Sequence, residues 1–301
     1  MNNTGKSVLA DLAMEAKLLE GKKIAEKIKE ELRTKVAAYS KKAGMKPALR
    51  AIQVGEDPAS VLYLKSQKTV AEQVGVLHET TTLSLSASES DLIGEIERAN
   101  RDPKVHGIIV QTPLPKSFQV DRVLDMIHPD KDVEAVTTRN LGRLAIHKEG
   151  MAPCTARACI RLIEETGVDV YGKEAVIIGS SKTVGMPAFL LLLGKKLTSM
   201  ICHTGTFKAG TLESHVRRAD VLVVSAGKPR VIPGAWIKPG SIVIDVGINR
   251  VEGKTVGDVD FETAKTRAAF ITPVPGGVGP LTTVILIENL VSAFQSQHKI
   301  P

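Results

Sequence analysis

Apolar residues along this chain follow two alternating rhythms. Leu19, Ile24, Ile28, Leu32 and Val36 recur at four- or five-residue steps with Lys and Glu between them, which predicts an amphipathic helix over residues 19–38. The run 48–54 (ALRAIQV) reads as a strand that ends at the turn cluster Gly55-Glu-Asp-Pro58, and Ser60 is placed to cap a helix over 60–74. Gly75 closes that helix, a second strand follows over 76–83, and Ser88 opens a helix that stops before Asp102-Pro103. A third strand, 107–111, runs into Thr-Pro-Leu-Pro; a short helix over 119–127 ends at His128-Pro129, and 130–153 reads as loop-rich.

The alternation resumes with strands predicted over 175–178, 197–202, 221–225, 241–246 and 270–272. The first of these runs into Gly179-Ser-Ser-Lys-Thr-Val-Gly185 and a helix beginning at Pro187, and the last helix, 282–297, is expected to fold back on the first half. Strand–helix alternation of this kind predicts an α/β chain of two domains with parallel sheets, the second domain Rossmann-type. Residues 1–15 read as a loose leader.

Composition narrows the classes. A hydrophobic fraction of 43% with 24% charged residues excludes disorder as the main state. No apolar run approaches the roughly 20 residues of a membrane span, and the first residues lack the apolar core of a signal peptide, so cytoplasmic residence is expected. Cys154, Cys159 and Cys202 form no CxxC pair and are odd in number, which argues for reduced thiols and against a metal site. The net charge of +7 is interspersed with acids and only 3% of residues are aromatic, a balance that suits small anionic ligands better than nucleic acid.

Two turns carry candidate chemistry. The stretch Gly179–Gly185 departs from GxGxxG spacing, and its glycines suit either a pyrophosphate against a helix N-terminus or a tight structural turn. Pro273-Val-Pro-Gly-Gly-Val-Gly-Pro280 is stiff and nearly free of side-chain bulk, fit for backbone contact with a flat ligand or for an interdomain turn.

That second run, with Leu281-Thr282, resembles the signature of the methylenetetrahydrofolate dehydrogenase/cyclohydrolase family, the bifunctional FolD proteins. Further segments match it in order: Gly55-Glu-Asp-Pro-Ala-Ser60 with Tyr63, Gly107-Ile-Ile-Val-Gln-Thr-Pro-Leu-Pro115, Lys131-Asp-Val-Glu-Ala135, Pro153-Cys-Thr155 and Cys202-His203. Lys238-Pro-Gly240, Ile244-Asp-Val-Gly-Ile-Asn249 and Gly257-Asp-Val259 complete the series, so the likeness spans about residues 16–296.

The resemblance implies a folate-side domain of residues 16–152 plus 283–301, an inserted NAD(P)-binding domain of 153–282, and a homodimer in which neither nucleic acid nor membrane is a partner. It implies oxidation of 5,10-methylenetetrahydrofolate to the methenyl form with NADP or NAD, then hydration to 10-formyltetrahydrofolate. Tyr63 would stack on the folate, Gln111 would hydrogen-bond within the catalytic site, and Glu134 would take the place of the pterin-binding aspartate. Pro275, Gly276, Gly277, Val278 and Gly279 would line the substrate, while Thr155, Gly179, Ser180, Ser181, Val184, Gly185, His203, Thr204 and Ile248 would face the dinucleotide.

The chain departs from the family pattern at its chemistry. Tyr-x-x-x-Lys becomes Tyr63-Leu-Lys-Ser-Gln67, and an amide has no usable pKa for the water addition a lysine would assist. Lys65 and Lys68 lie about 160° and 100° around a helix from Gln67. Asp-Gly becomes Glu134-Ala135, and two cations expected near the 2′-phosphate are replaced by Ser180 and Gly205, which weakens NADP preference and leaves Lys182 and Lys208 as substitutes. The expected function is therefore a dehydrogenase with impaired cyclohydrolase activity. The alternatives are a divergent paralogue that binds folate or nucleotide without useful catalysis, and a Rossmann dehydrogenase for another small acid.

Overall fold

The structure is a computed structural model and describes residues 15–148 and 150–301, so all of the expected leader except Glu15 lies outside the described residues. The first half contains β1 (Lys17–Leu18), α1 (Gly21–Ala43), β2 (Ala48–Val54), α2 (Pro58–Val74), β3 (Leu77–Leu83), α3 (Glu89–Arg101), β4 (Gly107–Val110), α4 (Val120–Asp125) and α5 (Thr138–Ala145). The second contains α6 (Cys154–Glu164), β5 (Glu174–Ile178), α7 (Gly185–Gly194), β6 (Thr198–Cys202), α8 (Thr204–Lys208), α9 (Leu212–Val216), β7 (Val221–Val224) and β8 (Ile242–Asp245). The hairpin β9 (Asn249–Val251) and β10 (Lys254–Val256), then α10 (Phe261–Ala264), β11 (Phe270–Ile271) and α11 (Val278–Gln297) complete it.

Both main sheets are parallel, as the alternation predicts. The first has the order β3-β2-β4 with Ala48 opposite Leu77 and Leu49 opposite Gly107. The second runs β1-β11-β8-β7-β5-β6, so all five strands expected there are present. Its edge is extended by Lys17 and Leu18, which pair with Phe270 and Ile271. A two-residue strand held only by backbone pairing leaves no apolar pattern to read.

Several boundaries differ from the sequence reading for local reasons. The cap of α2 is Asp57, whose Oδ1 accepts the Ser60 N–H at 3.0 Å; Pro58 takes the first helical position, where a missing N–H costs nothing. The expected start at Ser88 holds, with a reciprocal capping box between Ser88 and Asp91. Helix α11 begins at Val278, inside the Pro-Gly run, because Pro280 falls in the first turn, whose amides have no intrahelical acceptor. Helix α6 and, within the loop-rich stretch, α5 are also present.

Helix α11 joins the two sheets. By length and composition it could cross a bilayer, but 67% of its most apolar stretch is buried in the protein. It packs on α1, α2, α6 and β4 through residues such as Leu281, Leu286, Leu290 and Phe294. At its midpoint the Asn289 amide donates to the Val133 carbonyl at 2.7 Å and to the Ala152 carbonyl at 3.3 Å, and Arg157 donates to its Oδ1. This core helix thereby fixes the loop that carries Glu134.

The end of α11 is closed by a buried histidine. His106 Nδ1 accepts the Ala48 N–H at 3.1 Å, so its proton sits on Nε2, 3.1 Å from His298 Nε2. Burial first, then His298 and Lys131, depress its imidazolium to about 4. Between the unfolded value near 6.5 and that pH only the unfolded chain takes the proton, so this contribution to stability is complete above 6.5 and is lost as pH falls toward 4. Urea unfolding of the parent and of His106→Gln at pH 7 and pH 5 should show the parent's advantage shrinking by about 2 kcal/mol at the lower pH. An advantage that does not change with pH would contradict this assignment.

Candidate active site

Tyr63 and Gln67 stand one turn apart on α2, whose first turn is tied to the end of β4 by Ser60 Oγ donating to the Thr112 carbonyl at 3.2 Å. Gln67 is wholly buried (0% exposed); its Oε1 lies 3.5 Å from His78 Nε2, and its Nε2 has no partner. Burial, with the nearby Lys68 charge, lowers the His78 pKa and favours the neutral ring. Lys65 and Lys68 are both exposed, so neither replaces the amine missing at position 67.

The Tyr63 hydroxyl is held neutral, its pKa raised chiefly by burial and then by Glu134 and Cys154, while polar contacts with Gln67 and Thr283 oppose the shift. Glu134 is partly screened from solvent, and burial together with Asp132 pushes its carboxyl up to about 8. At neutral pH it mostly keeps its proton, and N–H donors from a ligand would draw it toward the carboxylate. Asp132 is wholly buried and shapes this loop by accepting from Val136 N, Thr137 N and Asn140 Nδ2. Ala135 follows Glu134 in left-handed backbone, φ +54°, where the family's glycine is expected.

Gln111, at the end of β4, is 5% exposed and also has an unpartnered Nε2. Two buried amides without partners are what a polar ligand would satisfy.

Tyr63 faces an open cleft of about 680 Å³ shared with Ser66, Thr155, Val184, Val246, Ile248, the first residues of α11 and Thr282–Thr283. Of the Pro-Gly residues expected at the substrate, Val278 and Gly279 line this cleft; Pro275, Gly276 and Gly277 do not. Gly277 serves internal packing instead. A Cβ at Gly21 would sit 1.8 Å from the Gly277 carbonyl oxygen, and one at Gly277 would sit 2.7 Å from Thr272 Cβ.

The turn from β5 into α7 is equally close-packed. Gly179 adopts φ +110° and a Cβ there would meet the Ser225 carbonyl oxygen at 2.3 Å; at Gly185 it would meet the Gly179 carbonyl oxygen at 1.9 Å. Ser181 Oγ accepts from the Val184 and Gly185 amides at 3.2 and 3.3 Å, and Ser180 is exposed. A second depression of about 230 Å³ lies beside this turn, walled by Gly179, Ser180, His203, Thr204, Phe207, Ser225, Ala226 and Lys228. His203 Nδ1 accepts the Gly205 N–H at 3.1 Å. The turn thus has a narrow space on one side and the Tyr63 cleft on the other, an arrangement that fits the two halves of a dinucleotide with its pyrophosphate against the turn.

Residues absent from the expected site hold this wall together. Asp258 is wholly buried: Oδ2 accepts from Ala226 N (2.6 Å) and Gly227 N (2.9 Å), and Oδ1 from Lys228 N and Asn249 Nδ2 (both 2.9 Å). Asp245 accepts from Gly247 N, Asp258 N and Val259 N. Gly247 and Gly257 let the carboxyls approach, since a Cβ at either would lie about 2 Å from one of them (2.2 Å from Asp258 Cγ and 1.9 Å from Asp245 Oδ2). The motifs containing them were visible in the sequence, but their mutual contact was not. Of the two lysines proposed as substitute cations, Lys182 pairs with Asp121 at 2.5 Å and Lys208 lies off the wall of the narrow depression.

Residues 19–134 match the tetrahydrofolate dehydrogenase/cyclohydrolase catalytic domain, and residues 153–298 match the NAD(P)-binding domain of the same family. Among solved structures, the bifunctional FolD methylenetetrahydrofolate dehydrogenase/cyclohydrolase of Campylobacter jejuni is 40% identical, covering 93% of this chain and 99% of its own, with a TM-score of 0.90. The Trypanosoma brucei enzyme, complexed with NADP cofactor and inhibitor, is 34% identical over 94% of this chain and 98% of its own, with a TM-score of 0.89. A 5,10-methylenetetrahydrofolate dehydrogenase from the silkworm Bombyx mori is 38% identical over 94% and 99%, with a TM-score of 0.89.

Proposed function

Because the chain belongs to the tetrahydrofolate dehydrogenase/cyclohydrolase family, we infer that its cleft carries the dehydrogenase half of that chemistry and has lost most of the cyclohydrolase half. It is an NAD(P)-dependent enzyme that acts on folate, oxidising 5,10-methylenetetrahydrofolate to the methenyl form. When bound, NAD(P) supplies the hydride acceptor.

The roles of individual residues are part of this proposal. Tyr63 stacks on the folate and, being neutral, adds no charge near a carbon that becomes cationic as hydride leaves. Gln111 and Gln67 offer their unpaired amides to the pterin and its one-carbon bridge. Glu134 accepts from pterin N–H groups, and the walls from α6, the turn before α7 and α11 hold the substrate against the nicotinamide face.

The observation that carries the split is Gln67. It is wholly buried where the family places a lysine, while both neighbouring lysines point to solvent. Hydride transfer depends on alignment, whereas water addition depends on a group that can take a proton.

The same reading divides the chain into a folate side, 16–152 with 283–301, and a nucleotide side, 153–282, and extends to a cytoplasmic homodimer without nucleic-acid or membrane partners. Supplied with methylenetetrahydrofolate and NADP or NAD, the purified chain should reduce nucleotide and accumulate the methenyl product. Tight folate binding with no reduction of either nucleotide would favour the non-catalytic alternative, which the joint changes at Gln67, Glu134 and Ala135 also motivate.

A further inference from the structure

We propose that Lys228 is the residue that selects NADP over NAD, holding the 2′-phosphate in place of the two cations missing at positions 180 and 205. This inference rests on the dinucleotide reading of the Gly179 turn and extends it to a particular cofactor.

Three observations carry it. Lys228 is the one charged side chain among the described residues that wall the depression beside the turn, and no carboxylate lines that wall. A Rossmann site that prefers NAD commonly presents an acidic group to the ribose 2′-hydroxyl near the end of its second strand; here β6 ends in Cys202 and is followed by His203-Thr204. The Lys228 ammonium lies over the Phe207 ring of α8, 5.7 Å from its centroid, and both residues line the depression.

The lysine is also well anchored at its base. Its backbone N–H and those of Ala226 and Gly227 are all taken by the buried Asp258 carboxyl, so the ammonium extends from a fixed loop. Phe207 offers a flat apolar face beside it, where an adenine ring can lie while the ammonium reaches the phosphate on the adjoining ribose.

Calorimetric titration of the full chain with NADP, NAD, 2′,5′-ADP and 5′-ADP tests the assignment without relying on turnover. The parent should bind NADP at least tenfold more tightly than NAD, with the same order for the two ADP isomers. In Lys228→Ala that ratio should fall to near one, and Lys228→Arg should restore most of it, each variant first being checked for an unchanged melting profile. A ratio that survives Lys228→Ala, or equal loss of both nucleotides, would overturn the role of Lys228. A parent chain that binds none of the four probes would overturn the dinucleotide reading beneath it.

Discussion

The Gln67→Lys variant is expected to hydrate methenyltetrahydrofolate at least a hundredfold faster than the parent chain. A positioned general base contributes roughly 10²–10⁴-fold, equivalent to about 3–5 kcal/mol of barrier, and the parent amide supplies none of it. Position 67 is wholly buried, so an amine there would be desolvated and its pKa drawn down toward neutrality, where it can accept a proton from attacking water. His78, 3.5 Å from the present amide oxygen and held toward its neutral form, adds no opposing charge.

Two assays separate the effects. Loss of the methenyl chromophore without nucleotide reads hydration, while nucleotide reduction reads hydride transfer and should change by no more than a few-fold. A melting curve checks that the buried amine has not unfolded the chain. Rapid hydration by the parent that persists in Gln67→Ala and disappears in Lys68→Ala would assign the chemistry to the exposed lysine and defeat the argument.

How much of this was legible beforehand follows from the range of each interaction. The capping box at Ser88 and Asp91 is a three-residue event, and periodicity with turn residues located it. The cap of α2 lies three residues before the one expected because Ser60 and Asp57 are both capable caps, and only the geometry shows that Ser60 donates to Asp57. The last helix, expected over 282–297, begins four residues earlier at Val278, because Pro280 is tolerated in its first turn. At the site, the missing lysine was apparent from spacing on one helix. The orientation of Gln67 toward the interior, and of Lys65 and Lys68 toward solvent, was fixed by packing around α2. The support of the nucleotide wall was hidden because Asp258 and the backbone N–H groups of 226–228 that donate to it are about thirty residues apart.

That hidden support leads to the second large effect. Asp258→Ala is expected to cost about 3 kcal/mol or more in urea unfolding and to abolish the order in the loop carrying Lys228. The substitution strips the acceptor from three backbone amides and from the Asn249 amide at a position with 0% exposure, where water does not readily replace it. Asp245 cannot stand in. Its oxygens are occupied by Gly247, Asp258 and Val259 amides, and burial, with the Asp258 charge adding to it, already pushes its carboxyl up to about 6. Asp258→Asn should lie between the two, because the isosteric amide keeps one acceptor oxygen but sets an NH2 group against donors that need an acceptor. Both variants should weaken NADP and NAD alike, since they disturb the whole wall, whereas Lys228→Ala should act on the 2′-phosphate alone. If Asp258→Ala unfolds at the parent's urea midpoint and binds both nucleotides normally, the carboxyl does not hold that wall, and the anchored-loop argument for Lys228 loses its footing as well.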